Sequence, residues 1–243
     1  MARAERREGL RPKHIGIVAC SSPGAALCYR IICTEGEKFL GKRYAHPEVS
    51  LHGYSFSDYM EYIERGDWNK VADLMVSSAR KLAAVGADFA ITPDNTIHVV
   101  FDEVVRRSPI PWLHIAEEVA KEAVRRGFKR LGVLGTKYLM ESDVYPSKLR
   151  KYGLEYVIPG EEERVRINEV IFNELVYGVV KSASRAYLVK VIEGLKREGC
   201  DAVVLGCTEL PLIISDEVSP LPTLNSTRIL ALAALREAVG QRS

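Results

Sequence analysis

Two segments of this chain read as one text written twice. Gly86-Ala-Asp-Phe-Ala-Ile-Thr-Pro-Asp-Asn-Thr96 aligns without a gap on Gly199-Cys-Asp-Ala-Val-Val-Leu-Gly-Cys-Thr-Glu209. Each segment follows a stretch of helical spacing, opens on Gly-x-Asp, runs through apolar residues and ends in a small polar loop. The flanks repeat in the same order. Ile15-Gly16-Ile17-Val18 resembles Leu131-Gly132-Val133-Leu134, and Pro111-Trp-Leu-His114 resembles Pro222-Thr-Leu-Asn225. Short apolar runs at 14–19, 88–92, 112–115, 130–135, 154–158, 202–206 and 221–225 alternate with stretches of helical spacing such as 68–85, 116–127, 169–181 and 186–199. Strands alternating with helices predict an α/β fold with mainly parallel sheet. The repeat adds that there are two similar Rossmann-like lobes, related by a pseudo-twofold. Open parallel sheets hold ligands at the carboxyl ends of their strands. The expected site is therefore the cleft between the lobes, built from corresponding loops. Residues 14–110 and 216–243 are assigned to the first lobe, the C-terminal helix returning to it, and 111–215 to the second. Residues 1–13 read as a flexible basic tail.

Composition removes several classes. The 243 residues carry 34 Lys+Arg against 32 Asp+Glu, a formal net charge of +2. That balance lacks the concentrated basic face on which nucleic-acid binding by counterion release depends. With 47% hydrophobic and 27% charged residues the chain is an ordinary folded protein rather than a disordered one. No apolar run approaches the length of a membrane span, and no signal-peptide core follows Met1. Cysteines at 20, 28, 33, 200 and 207 have neither disulfide-framework nor zinc spacing. A cytoplasmic protein with reduced thiols and no metal is expected.

The loops that carry chemistry are Pro93-Asp94-Asn95-Thr96 and Gly206-Cys207-Thr208-Glu209. Asp94 and Cys207 hold equivalent places at the C-terminal tip of a strand, just before a helix. Helix N-terminal amides there favour a thiolate. Asn95, Thr96, Thr208 and nearby backbone N–H groups offer donors to an anion. Ser21 and Ser22, after the first strand, are a third source, and Thr136 opens the loop equivalent to theirs. Such a site suits a small carboxylate-bearing molecule.

These motifs resemble the aspartate/glutamate racemase superfamily: GADFAIT-PDNT, GCDAVVLGCTE and LGVLGT lie in register with it from His14 to about Val239. The resemblance implies two similar α/β lobes with the site between them. It implies a cofactor-independent amino-acid racemase that inverts an α-carbon with one acid/base group from each lobe. A dimer is the expected assembly. In relatives of aspartate racemase type both groups are cysteines. Here Asp94 stands at the first position, so Cys207 and Asp94 become the expected catalytic pair. The arginine and lysine with which aspartate racemases grip the side-chain carboxylate also lack counterparts. Leu51–Glu61 contains neither residue type, and Tyr177 stands where the lysine belongs. The resemblance thus points away from aspartate and toward a one-carboxylate or less charged substrate held near His52, Tyr54 or Tyr177, with Glu209 beside it. Two alternatives stay open. One is a single-cysteine lyase or isomerase of malonate decarboxylase or maleate isomerase type. The other is an inactive protein that binds a small acid.

Overall fold

The computed structural model describes residues 11–241. The tail expected over 1–13 lies outside the described residues up to position 10. Lys13 itself is tied down, its N–H donating to Ala238 O at 2.8 Å. The chain runs β1 (Ile15–Ala19), α1 (Ser22–Leu40), β2 (Val49–Gly53), α2 (Phe56–Glu64), α3 (Trp68–Ala84), β3 (Phe89–Ile91), α4 (Phe101–Arg107) and α5 (Ile115–Arg125). It continues through β4 (Arg130–Gly135), α6 (Lys137–Met140), α7 (Val144–Lys151), β5 (Glu155–Val157), α8 (Glu161–Asn173), α9 (Ser182–Arg197), β6 (Ala202–Gly206), β7 (Thr223–Asn225) and α10 (Ser226–Ala238). Two parallel sheets result, ordered β2-β1-β3 and β5-β4-β6-β7. None of the described helices is long and apolar enough to cross a membrane.

The repeated text makes repeated hydrogen bonds. Gly16 pairs with Ala90 and Gly132 with Val203, which are matched residues in the two halves. Ala90 then bridges to Trp112 in one half, as Val203 pairs with Thr223 in the other. The Gly-x-Asp idiom has a mechanical explanation. Gly86 and Gly199 leave their helices at φ 92° and 86°, a conformation that costs a side-chain-bearing residue energy. Two residues later, Asp88 accepts from the N–H of His14 at 2.6 Å, and Asp201 from that of Arg130 at 3.2 Å. Each aspartate thereby fixes the start of the neighbouring strand.

Strand alternation sets the layers. Ile15, Ile17 and Ala19 face a core shared with α1 and α10, whereas Val18 and Cys20 face α2 and α3. In the second sheet Ala202 and Val204 face α5 and α7, and Val203, Leu205 and Cys207 face α8 and α9. The chain changes lobes at two places. Ile115 belongs to the first-lobe core although α5 continues into the second. The strand at 223–225, placed with the first lobe from the sequence, hydrogen-bonds to β6 of the second sheet. Only α10 returns, lying against α1 and α5. Its N-terminus is anchored by Asn225, whose side chain accepts from Arg228 N–H.

Candidate active site

The tips of β1, β3, β4 and β6 open into one cleft of about 530 Å3, its mouth included. Cys20, Ser21, Asp94, Asn95, Thr96, Thr136, Cys207, Thr208 and Glu209 all line it. Among the described residues lining the cleft, none is Lys, Arg or His. Two of the polar groups there are fixed as helix caps. Ser21 caps α1, its hydroxyl accepting from Gly24 N–H at 3.4 Å, and Thr136 caps α6, accepting from Leu139 N–H at 3.2 Å. The Thr136 and Thr96 hydroxyls lie 2.8 Å apart, joining the two lobes.

Asp94 and Cys207 are linked by a chain of hydrogen bonds. The backbone N–H groups of Cys20 and Ser21 donate to the two carboxylate oxygens of Asp94, at 3.2 and 3.1 Å. The Ser21 hydroxyl donates to Glu209 Oε1 at 3.2 Å, and the Cys207 thiol donates to Glu209 Oε2 at 2.9 Å. Glu209 thus bridges the lobes. Burial pushes the Asp94 carboxyl up to about 7, with the Glu209 charge adding to the rise and the two N–H donors opposing it. Burial also raises the Cys207 thiol well above its ordinary range, reinforced by Glu209 and then Asp94. A carboxyl near neutrality and a protonated thiol make a pair that can exchange one proton in each direction.

The loop carrying Asp94 is fixed from beneath. The Nε2 atom of His98 accepts from Ile115 N–H at 3.2 Å, so its proton sits on Nδ1, which donates to Asp94 O at 2.9 Å. Burial pushes His98 down to about 4, so this ring stays neutral and works as a strut. Asn95 does not cap its helix through its side chain. Its amide group donates to Ser226 Oγ at 3.0 Å and its oxygen accepts from Tyr145 OH at 2.7 Å. Ser226 in turn donates to Leu205 O at 2.8 Å, so Asn95 ties the β3 tip to the second lobe.

Four of the residues expected to touch substrate lie elsewhere. Ser22 begins α1 with its side chain in solvent and does not line the cleft. His52 sits on the edge strand β2, where its ring bonds Ser78 at 2.9 Å and Lys81 at 3.1 Å, and Tyr54 just beyond that strand bonds Ser77 at 2.7 Å and Lys81 at 2.9 Å. Tyr177 is 76% exposed, because the short turn after α8 directs Val176 inward instead. The sequence reading also missed part of the cleft. Cys20 lines it beside Asp94, and Phe56, Met60, Ile63, Ile171, Phe172 and Val176 form an apolar wall. The signal for the wall was present in α2, where Phe56, Met60 and Ile63 share one face.

Known proteins agree with this architecture. The chain is 26% identical over 168 residues to the broad specificity amino-acid racemase RacX of Bacillus subtilis (strain 168), spanning 68% of this chain and 71% of that one. A solved aspartate racemase homologue from Pyrococcus horikoshii OT3 superposes with a TM-score of 0.79 at 31% identity, covering 93% of this chain and 99% of the other. The Picrophilus torridus aspartate racemase gives a TM-score of 0.74 at 25% identity, covering 95% of each chain. The Asp/Glu/hydantoin racemase family matches residues 37–234, most of the length, and the chain belongs to it.

Proposed function

We propose that this protein is an amino-acid racemase that works without a cofactor, using Asp94 and Cys207 as its two acid/base groups. The observation that carries the reading is the continuous bridge Asp94–Ser21–Glu209–Cys207 between opposing strand tips. Inversion needs one group to remove the Cα proton and a second to deliver a proton to the opposite face. In one direction the Asp94 carboxylate takes the Cα proton. The C–H electron pair passes into the substrate carboxylate, and the Cys207 thiol returns a proton from the other side. In the reverse direction the Cys207 thiolate takes the proton and the Asp94 carboxyl donates one. Glu209, hydrogen-bonded to the thiol, positions it and shares its proton. The Thr96, Thr136 and Thr208 hydroxyls and the backbone N–H groups at these tips bind the carboxylate, where charge develops.

Incubation with L- and D-amino acids in heavy water, followed by NMR of the Cα position, tests this. Exchange with inversion in the wild type, lost in Cys207→Ser, is the expected result. Exchange with complete retention at every substrate would leave only one working base and end the two-base reading. A second assignment is favoured by the position of Cys20, which lines the cleft and donates its N–H to Asp94. In that assignment Cys20 and Asp94 form a thiol–carboxylate pair facing the pair Cys207 and Glu209. Cys20→Ala then abolishes inversion while Asp94→Asn only slows it; the first assignment requires the opposite order. A cytoplasmic homodimer completes the proposal. The odd, scattered cysteines suit a reducing compartment, and light scattering after gel filtration measures the assembly.

A further inference from the structure

One wall of the cleft takes no part in the proton transfer. Phe56, Met60 and Ile63 come from α2 of the first lobe, and Ile171, Phe172 and Val176 come from α8 and the turn after it. Ile63 and Ile171 are buried, but Phe56, Met60, Phe172 and Val176 remain partly exposed at the opening. The apolar side chains of the two helices face a common space, while the polar groups of the cleft, Tyr138 of α6 apart, belong to the strand tips. We propose that this wall is the side-chain subsite, and that the substrate is a neutral amino acid with an apolar side chain of about leucine or methionine size. The inference rests on the racemase reading and goes beyond it by naming the substrate class.

Three observations support the assignment. First, no described Lys, Arg or His lines the cleft, so a second substrate carboxylate finds no cationic partner. A charge placed unpaired against apolar side chains is strongly disfavoured, whereas an alkyl chain gains from the same contact. Second, the two ionisable carboxyl groups that are present, Asp94 and Glu209, lie at the polar end. They attract the substrate ammonium and repel another carboxylate. Third, the donors suited to the α-carboxylate, the paired hydroxyls of Thr96 and Thr136, sit at that same end. An amino acid whose head group meets the strand tips therefore directs its side chain between α2 and α8.

Leucine and aspartate test the proposal cleanly, because both branch at Cγ and differ there in charge. The wild-type protein is expected to exchange and invert Cα of leucine with a kcat/KM about a hundredfold or more above that for aspartate. Equal or greater activity on aspartate or glutamate overturns the substrate class while leaving the racemase reading intact. Failure to exchange any of the twenty amino acids removes the racemase reading and this inference with it. Met60→Arg, checked by circular dichroism and thermal melting, should shift the leucine-to-aspartate ratio at least about tenfold toward aspartate. A folded variant with an unchanged ratio counts against the proposal. On the wild type, 4-methylpentanoate should compete with substrate and succinate should not; the reverse order overturns the assignment.

Discussion

Glutamine at position 209 separates the charge of Glu209 from its shape. The carboxylate accepts the Cys207 thiol at 2.9 Å, so a thiolate formed there faces a negative charge at close range. Two like charges about 4 Å apart at an effective dielectric near 20 cost about 4 kcal/mol, roughly 3 pKa units. The amide of Gln still accepts the thiol proton, so part of the effect remains. Glu209→Gln is expected to lower the Cys207 thiol pKa by at least about 1 unit. Burial is the larger cause of the raised thiol and is untouched, so the value stays above that of an exposed cysteine. The assay is alkylation by iodoacetamide across a pH series, with peptide mass spectrometry separating Cys207 from Cys33, which is half-buried. Turnover should fall although thiolate becomes more abundant, because the group that shares the thiol proton is gone. An unchanged or higher labelling midpoint would refute the idea that Glu209 acts on the thiol through its charge.

The other predictions follow from the same network. Asp94 keeps its proton in the fold up to about 7, against an ordinary value of 3.8. Its contribution to stability is therefore full below about pH 4 and is lost as the pH rises through 7. Asp94→Asn should accordingly gain on the order of 1–3 kcal/mol over wild type at pH 8 by urea unfolding. The acid limb of kcat/KM, near pH 7 in the wild type, should move to the thiol range in Asp94→Cys. Tyr145→Phe strands the buried Asn95 oxygen and should cost about 1–3 kcal/mol in chemical denaturation, with kcat falling as the β3 tip loosens. At Gly24 an added Cβ lands 2.5–2.7 Å from three Thr208 side-chain atoms. Gly24→Ala should destabilise by about 1–3 kcal/mol and raise KM, because α1 and the Cys207 loop must separate.

The amino-acid sequence by itself determined the alternation of strands and helices and the equivalent placing of the two candidate tips. Both are written locally, in short continuous apolar runs, in the glycines that end helices and in the aspartates that start strands. Repetition of that local text places Asp94 and Cys207 at equivalent ends without reference to anything distant. Tertiary structure decided the rest. His52 and Tyr177 looked suitable because they fall in the right stretches, but an edge strand and an outward turn carry them out of the cleft. Glu209 is two residues from Cys207, yet its bridge to Ser21 exists only because the lobes meet. The apolar wall was hidden for a similar reason. The apolar faces of α2 and α8 are each what an amphipathic helix needs to cover its own sheet. Only the packing of one lobe against the other leaves parts of both faces looking into the same space.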